Sequence, residues 1–437
     1  MSDRILLSVI IILLPYAVWG QEPLTLQKAM ATGMERNLSI QIAGNQSDVV
    51  KNLARPGNAN LLPKVDLNGG AQYSFNQSQQ TFSNPGIPTI DTSGAATGLN
   101  ASLGFSYVLF DGLGNFRNYR RLRLNGDMSE LEERVQVEAA IMNIATAYLS
   151  ALRAQATAAS VRRSLEVSLQ RLDRARKRTE YGTGSRTEML NAELYVNQDS
   201  ATLADADYNA RRFRRDLLAL IQLEETDAGA ISDSIQLARM PAYGELQEGA
   251  EANSAALILG AMSVERAEND VRINRSLAFP VLAISGAYGY SRTTSDVSIF
   301  KESTNLGFNG GVTLSYNLFD GRKRRTQLQN AKLALETDKL RLDQSRTEVM
   351  RNLANGYDNW ATSMQRMGLR TRNLGVAQQN VRRSEELFNL GQLTGIEYRD
   401  AQLSLLRAEL DILDSRVQAK LAELDLLRLS GGLLQEE

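Results

Sequence analysis

The sequence predicts a mixed α/β chain built twice over, in which paired amphipathic strands alternate with helical hairpins of unusual length. Three observations carry this. A long block recurs at one fixed offset. Within each copy the hydrophobic period switches from 3.6 to 2 and back. The helical stretches contain almost no breakers, with 8 Pro in 437 residues.

The recurrence is plainest at Ser106–Gly112, Ser-Tyr-Val-Leu-Phe-Asp-Gly, which returns as Ser-Tyr-Asn-Leu-Phe-Asp-Gly at Ser315–Gly321, 209 residues on. The same offset carries Asn100 to Asn309, Leu124 to Leu333, Tyr148 to Tyr357, Gly182 to Gly391, Glu188 to Glu397 and Ala192 to Ala401. A period this long exceeds any solenoid unit, so it reads as one large block present twice. Residues 21–230 form the first repeat and 231–437 the second. Before them, an apolar run from Ile5 to Trp19 follows Met-Ser-Asp-Arg and precedes Gly20-Gln21. It is too short to span a bilayer comfortably, and residues 1–20 are expected to be a secretory signal peptide.

Composition narrows the chemistry. There are 49 basic and 50 acidic residues, so bulk charge does not favour nucleic acid as a partner. His and Cys are both absent, which removes the commonest general base, the commonest metal ligand and any thiol nucleophile. No pair of carboxylates sits in a recognisable catalytic motif. No catalytic residue, metal site or cofactor is expected, and an enzyme is the least favoured reading.

Each repeat opens with modest helices, about Leu24–Leu53 and about Tyr243–Asn274. Leu61-Leu62-Pro63 and Ala278-Phe279-Pro280 end the helical pattern. Alternation follows, with Val65, Leu67, Gly69, Ala71, Tyr73 and Phe75 on one face, then Leu99, Ala101, Leu103, Phe105, Tyr107 and Leu109. In the second repeat the corresponding sets are read as Val281, Ala283, Ser285, Ala287 and Gly289, then Phe308, Gly310, Val312, Leu314, Tyr316 and Leu318. Strands of about 10–14 residues are expected, in β-hairpins at about 64–110 and 281–319, with polar loops at Asn76–Gly98 and Ser291–Asn305. Small polar residues on the opposite face suit a membrane barrel, although a soluble sandwich alternates in the same way. Tyr73, Phe105, Tyr107, Tyr288, Tyr290 and Tyr316 are either interfacial girdle residues or ordinary strand residues.

After Phe-Asp-Gly, in which Asp111 and Asp320 are plausible N-caps, come two helical hairpins, about 113–223 and about 321–430. Their long arms hold 65–68 residues, or roughly 100 Å at 1.5 Å per residue. The tips are Tyr181–Ser185 and Leu390–Thr394. Leu403, Leu406, Leu410, Leu413, Val417, Leu424 and Leu427 keep coiled-coil spacing, broken only at Lys420. Dense Ala, at 154, 156, 158 and 159, favours a closely packed helical wall. Tyr357 and Trp360 read as helix packing. Four strands cannot close a membrane barrel, for which about eight are the minimum, and an open sheet leaves unpaired edges that lipid does not tolerate. A membrane-inserted chain of this kind must oligomerise. Both dimer and trimer satisfy that condition. The different-class alternative is a secreted soluble coiled-coil scaffold.

Taken in order and twice over, these features resemble the TolC-type outer-membrane efflux protein family. The resemblance rests on the Leu24-Thr25-Leu26 opening, the Leu62-Pro63 and Phe279-Pro280 lead-ins, the duplicated Leu-Phe-Asp-Gly and the tip patterns around Gly182–Ala192 and Gly391–Ala401. It implies a homotrimer with a twelve-stranded β-barrel in outer-membrane lipid, continued by a periplasmic α-helical barrel. It implies a passive exit duct joined through a periplasmic adaptor to an inner-membrane pump. By the same resemblance, Glu397 and Asp400 line the pore constriction, where three copies of two acids would favour cations. Glu188 and Asn191 are their first-repeat counterparts and, with Arg186, would support the gate. Leu393 stands where the family's locking Arg is expected. Gly182, Thr183, Gly184, Gly391, Gln392, Leu393 and Thr394 are the expected adaptor contacts. Arg117, Arg120, Arg121, Arg123, Arg322, Lys323, Arg324 and Arg325 cluster just after the strands, where phospholipid head groups would suit them.

Overall fold

The computed structural model describes residues 23–232, 235–296, 298 and 300–434. The expected signal segment, residues 1–20, lies outside them. The chain forms two compact units, each assembled from three stretches.

One unit takes in residues 39–138, 241–355 and 427 onward. Its centre is a four-stranded antiparallel sheet in sequence order, β1 (Lys64–Gln80), β2 (Ile90–Phe110), β3 (Val281–Ser295) and β4 (Glu302–Ser315). Cross-strand partners share a face, and the register sorts the side chains. Leu67 pairs with Leu103, Leu103 with Tyr288 and Tyr288 with Phe308, while Asn68 pairs with Ser102, Ser102 with Gly289 and Gly289 with Gly307. One face is apolar and the other small and polar. The register corrects the expectation for β3. Val281, Ala283, Ser285, Ala287 and Gly289 lie on the small polar face, and the apolar face carries Leu282, Ile284, Gly286, Tyr288 and Tyr290. A one-residue slip exchanges the two faces completely, and Ala or Gly in both sets flattens the alternation.

The strands also run past their apolar stretch. Gln77 pairs with Ser93 and Gln79 with Asp91, so much of the expected polar loop is strand. Backbone pairing needs no apolar side chain, which is why hydrophobic period misses these ends. From Val65 to Phe75 the apolar face covers about 33 Å along the strand, or about 25 Å at the tilt of a barrel strand.

Each hairpin hands over to a helix through Phe-Asp-Gly. Gly112 and Leu113 both take positive φ, 72° and 67°, and Gly321 and Arg322 repeat this at 64° and 71°. Asp111 Oδ2 accepts from Asn115 N at 2.7 Å, and Asp320 Oδ2 from Arg324 N at 3.0 Å. Two left-handed residues carry the chain from strand to helix, and the carboxylate caps the first helical amides. The helices that follow match in length: α3 (Gly114–Glu180) and α7 (Lys323–Asn389) have 67 residues each, and α4 (Arg186–Leu220) and α8 (Gly395–Leu429) have 35.

The leading helices are split, unlike the continuous stretches expected. Asn37 separates α1 (Leu26–Arg36) from α2 (Leu38–Leu53), and Ser254 separates α5 (Tyr243–Asn253) from α6 (Ala255–Ser276). Both take extended backbone, ψ 124° and 116°, at corresponding places in the two copies. Asn37 Nδ2 donates to Leu220 O at 2.8 Å, so the break docks the chain. Hydrophobic period does not register a single residue leaving the helical region.

The other unit takes in residues 23–38, 139–240 and 356–426. Its core gathers Leu24, Ala29, Ile144, Tyr148, Leu149, Leu152, Leu217, Ile221 and Val417. Tyr148 is buried, and its hydroxyl donates towards Leu24 O at 2.9 Å and Ser232 O at 3.0 Å. Farther along, α3 and α4 meet through small residues, with Ala158 and Val161 against Ala206, then Leu172 and Ala175 against Ala192.

Candidate functional site: the hairpin tips

Both tips close in the same way. Gly182 N donates to Thr179 O and Thr183 N to Arg178 O, while Gly391 N donates to Phe388 O and Gln392 N to Leu387 O. These are paired Schellman bonds with Gly in the left-handed position, φ 74° and 73°. Gly182 and Gly391 thus recur because the turn requires them.

The next residues differ. In the second tip Thr394 caps α8, and Glu397 folds back on it. Glu397 N donates to Thr394 Oγ1 at 3.3 Å, and Glu397 Oε2 accepts from Thr394 N at 2.9 Å and from Thr394 Oγ1 at 2.7 Å. This is a capping box. The backbone and hydroxyl donors of Thr394 hold the Glu397 carboxyl below its ordinary range. In the first tip Ser185 Oγ accepts from Thr187 N at 3.2 Å, but Glu188 turns to Arg178 at 3.5 Å. Arg186, also expected to support the gate, is exposed and forms no ion pair among the described residues. Asn191 and Glu188 line an open cleft of about 730 Å³ together with Gly391, Leu393 and Thr394. Gly184 is half-buried, and Thr183 and Gln392 are exposed. Asp400 is exposed one turn beyond Glu397, while Tyr398 and Arg399 between them are buried. The two acids therefore share the outward face of α8.

The buried face of α8 holds what sequence reasoning missed. Arg399 is 5% exposed and ion-pairs with Asp199 of α4. Its Nη1 donates to Ser168 Oγ of α3 at 3.1 Å, and Ser168 Oγ donates to Asp199 Oδ2 at 2.6 Å. One turn along α3, Arg171 donates to Gly395 O at 2.8 Å, at the start of α8. Both guanidiniums lie over the Tyr195 ring, at 6.0 Å and 5.5 Å, and Arg171 also lies 5.7 Å from Tyr398. Burial, helped by the neighbouring Arg399 charge, depresses Arg171, and burial raises Tyr398. Tyr398 in turn stacks on Phe388 at 5.1 Å. One signal was available. At the 209-residue offset Ser168, Asp199 and Arg399 answer to Ala377, Ala408 and Leu190, so each polar or charged residue of the cluster has an apolar counterpart in the other copy.

The basic cluster after the strands is partly spent within the chain. Arg117 donates to Arg272 O at 2.8 Å, Arg120 pairs with Glu265 at 2.7 Å, Arg121 with Asp270 at 3.5 Å, and Arg324 with Asp320 at 2.8 Å. Internal acids thus meet three of these cations and backbone carbonyls a fourth. Arg123, Arg322, Lys323 and Arg325 form no ion pair among the described residues.

The comparisons with known proteins agree with this duplicated plan. The sequence model of the family described as Outer membrane efflux protein matches residues 33–221 and again 246–432. The Outer membrane protein TolC of Vibrio cholerae serotype O1 is 21% identical over 429 residues, covering 96% of this chain and 93% of that one. TolC of Escherichia coli K12 is 20% identical over 389 residues, covering 86% and 76%. Among solved structures, a membrane protein from Pseudomonas aeruginosa superposes with a TM-score of 0.76 at 18% identity, covering 93% of this chain and 90% of that one. The Campylobacter jejuni CmeC outer membrane channel gives 0.74 at 15% identity, covering 93% and 86%. With its strand pairs, long hairpins and tips each present twice and each copy matched separately, the chain belongs to the outer membrane efflux protein family.

Proposed function

We propose that this protein is an outer-membrane export channel. Three copies close a twelve-stranded barrel, and their helical hairpins form a periplasmic tube. Small molecules or proteins pass through it without energy input from the chain itself. An adaptor meets the tips and links them to an inner-membrane pump. Glu397 and Asp400 line the constriction, and Arg186, Glu188 and Asn191 border it. The two solved structures compared above support this reading: both share the fold, and one of them is an outer membrane channel.

The observation that carries the closed barrel is the inequality of two equivalent crevices. Between the repeats, Gly112 is hemmed by Ser276 O and Phe279, and Phe110 meets Phe279 edge-on at 6.5 Å. At the far edge a side chain added at Gly321 would meet no atom of the described residues within 4 Å, and Phe319 is 81% exposed. The first-repeat counterpart of Phe279, Leu62, is 58% exposed at the opposite edge. Edge strands β1 and β4 carry apolar faces and unpaired backbone, which lipid does not tolerate. The β2–β3 seam inside the chain is the pattern for β4 against β1 of the next copy, with Phe319 over the partner copy's equivalent of Phe279.

The pattern fixes a register. Leu103 lies opposite Tyr288 within the chain, so Val312 should lie opposite Ala71 of the next copy. The chain has no Cys, so Val312→Cys with Ala71→Cys gives a clean test, because paired strand positions lie within disulfide reach. Oxidation should produce a covalent trimer on non-reducing gels, and Val312→Cys with Gly70→Cys should not. Absence of the trimer band, or a product that stops at two chains, overturns the closed three-copy barrel.

A further inference from the structure

We infer that one face of α3, next to the sheet, holds the head group of a zwitterionic glycerophospholipid, one whose phosphate is joined to a primary ammonium. This rests on the channel reading above. The basis is a cation and an acid, neither of them paired, at the end of a stripe that begins with exposed aromatic surface. Phe116, Tyr119, Arg123 and Asp127 follow one another about once per turn, so they line one side of α3. Phe116 is 64% exposed, Tyr119 is half-buried, and Arg123 and Asp127 are exposed. Apolar ring, amphipathic ring and then charge is the order of polarity met on leaving a bilayer.

The stripe is complete within one chain. On one side α2 flanks α3, through Ser47 with Ser129 and Lys51 with Glu130. On the other, α6 flanks it, through Asn269 with Arg117 O and Glu265 with Arg120. Two hollows remain, of about 330 Å³ towards Glu265 and about 150 Å³ towards Lys51, and Tyr119, Arg123 and Asp127 line both. Arg123 and Asp127 form no ion pair with each other or with any other described residue. Helix stability does not select this pair, because an acid four residues before a cation is the better order and here the cation comes first. Yet both repeats keep it, since the 209-residue offset carries Arg123 to Lys332 and Asp127 to Glu336. That second pair is exposed as well. Phe116 and Tyr119 answer to Arg325 and Leu328, so the stripe with its aromatic end occurs once per chain. Opposite charges one turn apart and not joined match a ligand that carries both. The height also fits. From Gly114 to Arg123 the helix rises about 14 Å, and helical side chains lean back towards the N-terminus, here towards the sheet. The guanidinium therefore reaches towards the lipid phosphates, and Asp127 meets the ammonium on their water side.

Native mass spectrometry of the detergent-purified full chain tests this. Palmitoyl-oleoyl phosphatidylethanolamine should add one tightly held lipid per chain. Phosphatidylcholine has no ammonium N–H to donate, and phosphatidylglycerol has no cation. Both should bind about two- to fivefold more weakly, the effect of one exposed ion pair. Asp127→Asn should abolish the preference for phosphatidylethanolamine over phosphatidylglycerol, and Arg123→Gln should weaken all three lipids. Both side chains are exposed, so the fold should survive, and the ranking on the unaltered chain decides even without the variants. Equal binding of the three lipids overturns the inference. So does a preference for phosphatidylglycerol, which would mark a site for anions, and so does a ranking that Asp127→Asn leaves unchanged. A chain that stays in solution without detergent contradicts the channel reading itself, whereas a detergent-requiring chain with no lipid ranking contradicts only this inference.

Discussion

Glu397 and Asp400 stand one helical turn apart on α8, yet their carboxylates are unequal. Glu397 is engaged by Thr394, whereas Asp400 is exposed and has no ion pair among the described residues. In planar-bilayer recordings under a salt gradient, Asp400→Asn should therefore move the reversal potential further towards non-selectivity than Glu397→Gln, which can still complete a capping box. Equal shifts would overturn the inequality of the two acids, and no shift from Asp400→Asn would overturn its proposed place at the constriction. The cap also sets a pH dependence. Because the folded state lowers the Glu397 pKa, its stabilisation is present above the ordinary carboxylate range. It is lost as pH falls through the lowered value. Amides of the first turn of α8 should exchange faster with solvent as pH falls through that window, after correction for intrinsic rates. Thr394→Ala, which removes the N-cap at a typical cost of about 1 kcal/mol, should speed their exchange at neutral pH. At this scale legibility depends on separation along the chain. Thr394-Gly395-Ile396-Glu397 is a local pattern that can be read directly. The Arg399 contacts span 231 and 200 residues, and no local pattern encodes them.

Elements were legible where their period was strong. The Pro-free arms and Gly-bearing tips announce the two hairpins, and the Schellman bonds explain why Gly182 and Gly391 recur. Three of the four strand faces follow from alternation alone. The fourth does not, because Val281 and Ala283 on one face of β3 compete with Leu282 and Ile284 on the other, and only cross-strand pairing decides. The helix breaks at Asn37 and Ser254 were hidden for a related reason, since each is one residue inside an otherwise continuous pattern. Tyr148 shows how a buried polar atom can serve several elements, since its hydroxyl binds the segments at Leu24 and Ser232 to α3. Tyr148→Phe removes this shared donor, while Leu24 O keeps its bond from the Ser232 amide, and should cost about 1 kcal/mol. Denaturant unfolding followed at Trp360 measures this. A loss below a few tenths of a kcal/mol would mean the hydroxyl is dispensable.

For the molecule as a whole, duplication was legible at once, but its structural use was not. The repeat says that two similar blocks exist. It does not say which contacts are made within one chain and which are left for a neighbour, because both are written in nearly the same residues. The contrast between Gly112 and Gly321 makes that distinction, as does the contrast between Phe110 and Phe319. A sequence with both blocks identical would carry the same residue at each pair of corresponding places, and a change to one would be a change to both. With two diverged blocks in one chain, Arg399 stands in the second while Leu190 keeps the corresponding place in the first. The buried ionic contact that Arg399 makes with Asp199 and Ser168 can therefore be altered by mutation without touching its counterpart.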